Sequence, residues 1–205
     1  ENNLSVVGAA ITRDTRDNVF NPTKGLYLNG GMDVAGGPFA GDKDFYRLTG
    51  KASYNIPLKY YDAVLEFRLN TGIVESYGDS DYVPIFERFF AGGSRTIRGY
   101  SERKVGPLDP ATKDPIGGES MIVGNVELTV PVVDFMKLAV FYDTGNVWKK
   151  MDDIGSSGFK SGVGTGLRFK TPIGPINLDY GYPLDLEEGK ESKSGKFYFS
   201  VSRGF

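Results

Sequence analysis

The sequence predicts an all-β chain: a transmembrane antiparallel β-barrel, or half-barrel, of about eight or nine strands. Three observations predict it. Apolar and polar residues alternate along segments of about ten residues, the length a tilted membrane-crossing strand needs. The charges of those segments collect on one face. The connections alternate between short turns and long polar loops, the layout of a barrel that crosses a membrane.

In chain order the strand-like segments are Leu4–Arg13, Gly25–Ala35, Asp44–Ile56, Asp62–Ser76, Ser120–Val130, Lys137–Trp148, Ser161–Lys170, Pro175–Tyr182 and Gly195–Phe205. The second carries Asp33 on its polar face; the third carries Arg47 and Lys51. In the fourth, Leu65, Phe67, Leu69 and Ile73 share one side, and Glu66, Arg68 and Asn70 share the other. The fifth sets Ile122, Gly124, Val126, Leu128 and Val130 against Asn125, Glu127 and Thr129. The sixth brings Asp143 to the polar face, the seventh Arg168 and Lys170, the eighth Asp179. Gly162, Gly164 and Gly166 in the seventh read as inward positions that another backbone or a bulky side chain approaches closely. In the ninth, Phe197, Phe199, Val201 and Phe205 oppose Tyr198, Ser200, Ser202 and Gly204. Arg203 interrupts its apolar row, where a long side chain can snorkel to a polar boundary.

YNIPLKYYD, PVVDF and KTPIGP read as short turns, and AGGPFAGDKD, KKMDDIGSSGFKS and LDLEEGKESKSG as long loops on the opposite side. The longest connection, residues 77–119, separates the fourth and fifth strands. Aromatics gather near strand ends on the apolar face, at Tyr46, Tyr54, Tyr142, Phe169, Tyr180, Tyr182 and Phe205, as in a girdle at a membrane boundary.

Composition narrows the function. The 205 residues suit one domain, residues 1–205. There is no cysteine, so neither a disulfide framework nor thiol chemistry. Histidine is also absent, which removes the commonest general base and transition-metal ligand. We expect no cofactor, no metal and no enzymatic activity. The net charge of −2 argues against a nucleic-acid partner. The first residues, ENNLSVVG, have the character of a mature or excised segment.

Alternation by itself does not separate a membrane barrel from a soluble sandwich. The polar face carries Asp33, Glu66, Glu127, Asp143 and Asp179 with Arg47, Lys51, Arg68, Arg168 and Lys170, while the other face is nearly free of charge. Acids and bases balanced in this way suit an enclosed, self-neutralising interior. Glu127 and Asp143 resemble an acid/base pair, but an arginine between them would hold both ionised, which fits a structural ion pair better.

One segment fits neither strand nor helix. FERFFAGGSRTIRGY, Phe86 to Tyr100, is rich in aromatic residues and glycine and carries Arg88, Arg95 and Arg98. Its FFAGG and its Ile97-Arg98-Gly99-Tyr100 resemble the sixth extracellular loop of the BamA family of outer-membrane protein assembly factors and its TamA-like relatives. ITRDTRDNVFNPTKG, FYDTGNVW and SVSRGF resemble other blocks of that family in the same order, so the resemblance covers essentially the whole chain.

The resemblance implies a bacterial outer-membrane location and the C-terminal half of a sixteen-stranded barrel, without the periplasmic POTRA domains. It implies that the long loop folds into the barrel and that Arg98 pairs with Glu127 and Asp143. It implies work without bond chemistry: inserting client β-barrel precursors at a seam beside the last strand, whose Phe197, Phe199, Val201 and Phe205 resemble a terminal barrel signal. The implied partners are outer-membrane lipid, client precursors and, through open strand edges, a second copy. A passive small barrel or pore is the alternative. Two questions of closure stay open. A barrel of about eight strands has room only for its own side chains. With nine antiparallel strands, the first and last run the same way.

Overall fold

The computed structural model describes residues 3–39, 41–172, 174–185 and 194–201. Nine strands form a single antiparallel sheet in chain order. They are β1 (Val6–Asp14), β2 (Gly25–Ala35), β3 (Phe45–Pro57), β4 (Val64–Ser76), β5 (Ser120–Val133), β6 (Met136–Trp148), β7 (Lys160–Thr171), β8 (Gly174–Pro183) and β9 (Lys196–Val201). Among the described residues β1 and β9 are the two edges, and each is paired on one side only. The described sheet is therefore open, which answers the closure questions for these residues: there is no parallel β1–β9 pair.

The two faces follow the pleat. Registers such as Met32↔Leu48, Leu48↔Ile73, Phe67↔Val126 and Val126↔Tyr142 put apolar side chains opposite one another on one face. That face exposes Ile11, Met32, Leu48, Phe67, Leu69, Val140, Tyr142, Leu178, Tyr180, Phe197 and Phe199. So much exposed apolar surface on one side of a sheet is what a hydrocarbon solvent demands.

The other face is covered from within. The connection between β4 and β5, residues 77–119, lies along it. Two apolar clusters seat it. Ala91, Ile97, Tyr100 and Val105 of the connection pack with Val123 of β5 and Val147 of β6. Val83 packs with Ala35, Phe45 and Val74 at the same ends of β2, β3 and β4. Phe89 touches both clusters. The sheet curls around this filling: Lys137 Nζ at the start of β6 donates to Asn21 Oδ1 of the β1–β2 turn at 2.7 Å, although β2 to β5 lie between them in the sheet.

Most strands have a limit one to three residues away from the sequence reading, and two of these shifts have a local cause. β4 begins at Val64 rather than Asp62, because Tyr61 and Asp62 have φ of 59° and 48° and form the turn itself. β5 runs past Pro131 to Val133, with a register shift between Pro131 and Val133. Its last pair with β4 is at Thr129, so Pro131 sits where the strand has a neighbour on one side only and a missing N–H is tolerated.

Candidate functional site

The site is assembled where the connection presses Ile97–Tyr100 onto the inward faces of β5 to β9. The backbone presents the arginine first. Gly93 N–H donates to Ile97 O at 3.2 Å, and Gly92 N–H donates to Thr96 Oγ1 at 2.8 Å, closing a tight turn ahead of it. Asn125 Nδ2 of β5 donates to Thr96 O at 2.7 Å and ties that turn to the wall. Ile97 is wholly buried in the apolar cluster behind it.

Arg98 is 3% exposed. Its Nε and Nη2 donate to Asp143 Oδ2 and Oδ1 at 2.7 and 2.9 Å, a bidentate fork, and its backbone N–H donates to Oδ2 at 3.0 Å. Its Nη1 donates to Glu127 Oε2 at 2.8 Å and stands 3.6 Å from Asp179 Oδ1. The guanidinium carbon lies 3.3 Å from the centroid of the Phe141 ring, which closes its remaining face.

A second arginine braces the same acids. Arg168 of β7 donates Nε and Nη2 to Glu127 Oε1 and Oε2, each at 2.8 Å. Its Nη1 is 2.7 Å from Asp179 Oδ1, an ion contact whose angle does not make it a hydrogen bond. Arg68 of β4 stands 4.0 Å from Glu127 and 3.8 Å from Glu66. The result is a cluster of three arginines and four carboxylates contributed by β4 to β8 and the connection, with Arg98, Glu127, Asp143 and Asp179 buried at its centre.

Gly99 and Tyr100 carry the motif on towards the last strand. Gly99 has φ of +105°, and a side chain there would press on the backbone of Tyr182 and Pro183 in β8. Gly162 and Gly181 leave the wall flat beneath the motif; a Cβ on Gly162 would collide with the Arg98 carbonyl. The Tyr100 hydroxyl donates to Asp185 O at 2.8 Å and lies 3.1 Å from Ser161 O. Tyr198 of β9 completes the enclosure: its hydroxyl accepts from Gly99 N–H at 2.9 Å and donates to Tyr100 O at 2.7 Å.

The structure thus brings Ile97, Arg98, Gly99, Tyr100, Glu127 and Asp143 into one place. Phe197, Phe199 and Val201 lie on the opposite, outward face of β9 and do not join them. Phe205 lies outside the described residues. Sequence reasoning did not single out Tyr198, Arg168, Asp179, Asn125 or Phe141 as partners of the motif. Their shared signal is an inward position, and a phenol among Ser200 and Ser202 on the polar side of a terminal strand is a legible anomaly in hindsight.

A family model described as the Omp85 superfamily domain matches residues 1–205. The chain belongs to the Omp85 superfamily. Among curated Omp85 relatives, it is 35% identical to the outer membrane protein assembly factor BamA of Nitratidesulfovibrio vulgaris, over 100% of this chain and 26% of that protein. It is 29% identical to a SAM50-like protein of Schizosaccharomyces pombe, over 90% of this chain and 41% of that protein. It spans about a quarter of the length of the first BamA relatives it matches, at 26% and 27%. Among solved structures, it matches BamA from Haemophilus ducreyi lacking POTRA domains 1–3 with a TM-score of 0.80. That match has 21% identity and covers 96% of this chain and 42% of the other. CdiB from Acinetobacter baumannii matches at 0.60, with 17% identity over 96% of this chain and 32% of the other. This Omp85 segment is a membrane β-sheet of the bacterial outer membrane, and it is not an enzyme.

Proposed function

We propose that residues 1–205 are the membrane-embedded barrel part of an outer-membrane protein assembly factor. In this reading the last strand templates the insertion and folding of client β-barrels. One observation carries it: β9 is a sheet edge with β8 as its one sheet neighbour among the described residues, and its outward face is apolar. An unpaired edge in hydrocarbon leaves peptide groups that have no water to bond, so it recruits a strand. A client strand added there by β-augmentation gains main-chain hydrogen bonds in register before it leaves water completely.

The connection of residues 77–119 acts as an extracellular loop that fills the interior and keeps the sheet in shape while the edge exchanges partners. Arg98 with Glu127 and Asp143 is its inner fastening. The alternative of a passive pore sits poorly with an inward face packed by the loop. The reading is tested by reconstituting the protein in vesicles and adding an unfolded client barrel, with cysteines placed at Ser200 and along the client's strands. The expected result is faster client folding and a crosslink confined to β9. Ion conductance with no stimulation of folding and no β9 crosslink would establish the pore instead.

A further inference from the structure

We propose that Tyr198 is a positioning residue that latches the edge strand β9 to the interior loop, so that the loop's seating governs how freely β9 exchanges its strand partners. The inference rests on the assembly reading only for what the freedom of β9 is used for.

The geometry is specific. The Tyr198 hydroxyl bonds to one two-residue stretch of the loop on both sides, accepting from Gly99 N–H at 2.9 Å and donating to Tyr100 O at 2.7 Å. Gly99 and Tyr100 lie outside the strands, in the connection between β4 and β5. If the hydroxyl is removed, a buried donor and a buried acceptor lose this partner. Across the β8–β9 register Tyr198 faces Asp179, which is itself 3.6 Å from Arg98 Nη1. The motif thus touches the acid cluster through Arg98 and the edge strand through its next two residues. The charge partners of Arg98 stand on β5, β6 and β8, so it reaches β9 through this peptide. Among the described residues β9 is six residues long, has one sheet neighbour, and carries Phe197 86% exposed on its outward face. An edge strand paired on one side is an element whose opening a polar tie to the interior can set.

The test is hydrogen exchange of β9 amides in the protein in detergent micelles, for four forms: unaltered, Tyr198→Phe, Arg98→Ala, and both substitutions. Tyr198→Phe keeps the ring and removes only the hydroxyl. Expected are an exchange rate for Phe197–Val201 raised roughly tenfold by Tyr198→Phe, and a rise in the same strand on Arg98→Ala that disappears in the Tyr198→Phe background. Ser200→Ala, on the same face of β9, leaves the loop protected. If Tyr198→Phe leaves β9 exchange unchanged, or Arg98→Ala loosens β9 equally with and without the hydroxyl, the latch is refuted. A client-folding assay on the same variants separates the two readings: expected exchange with unaltered client folding keeps the latch and removes the assembly role.

Discussion

At the scale of the residue, Arg98 shows why a buried ion cluster is a device for placing a chain rather than a store of stability. Removing charges from water costs several kcal/mol per ion, and their mutual attraction often does no more than offset that. What the cluster provides is geometry. The fork from Nε and Nη2 to Asp143 fixes the plane of the guanidinium, and Nη1 on Glu127 fixes its rotation. Arg98→Ala leaves the two acids without their shared cation and should destabilise the fold by about 3–5 kcal/mol. Proteolysis within residues 77–119 should accelerate, and urea unfolding in detergent should come earlier; unchanged loop resistance would refute the fastening. Arg98→Lys should recover only part of the loss, since a point charge cannot span Asp143 bidentately. The inward placing of Glu127 and Asp143 was legible in the sequence because alternation is a local property. That Arg168 shares Glu127, and that Phe141 covers the guanidinium, was not, because both depend on the register between strands.

At the scale of the element, the two faces of β5 should respond differently to charge. Val126 stands between Phe67 and Tyr142 on the outward face, so Val126→Arg puts a charge into hydrocarbon at about 2–4 kcal/mol near the bilayer midplane. Asn125→Asp acts inward, setting a carboxylate against Asp143 and the Thr96 carbonyl that Asn125 now serves as donor. The first variant should fail to insert into vesicles; the second should insert and lose loop protection. Equal insertion of the two would reverse the assignment of faces.

The β1–β2 turn gives an element-scale prediction in pH. Asp17 accepts from the Thr23 hydroxyl and from the backbone N–H groups of Thr23 and Lys24. The Thr23 hydroxyl, followed by its N–H, holds the carboxyl down from 3.8 to about 2. A lowered folded value means that the stabilisation is fully present above about 3.8 and is lost as pH falls through about 2. Hydrogen exchange of residues 15–24 should therefore rise between those pH values, and Asp17→Asn should flatten that dependence.

At the scale of the whole molecule, the loop is a strut fixed at both sides of the curled sheet. On one side Arg47 of β3 joins Asp33 of β2, at 3.0 and 2.8 Å, to Glu87 of the loop at 2.8 Å. On the other, Arg98 and Tyr100 reach β5 through β9. Two separated fastenings should act nearly additively on loop opening. Arg47→Ala should free the segment near Glu87, Arg98→Ala the segment near Tyr100, and only the double substitution should release the loop completely. Position-resolved proteolysis checks this; complete release by either single change would make the strut a single hinge.

The amino-acid order by itself determined which face of each strand meets lipid, because a period of two is written residue by residue and needs no partner. It also marked residues 77–119 as a connection too aromatic to lie loose in water. Only the tertiary structure decided that, among the described residues, β1 and β9 are not paired with each other, that the loop braces both sides of the sheet, and that Tyr198 ties β9 to Gly99 and Tyr100. Those outcomes depend on groups brought together from as far as 99 positions apart along the chain, and no local pattern encodes which of them will meet.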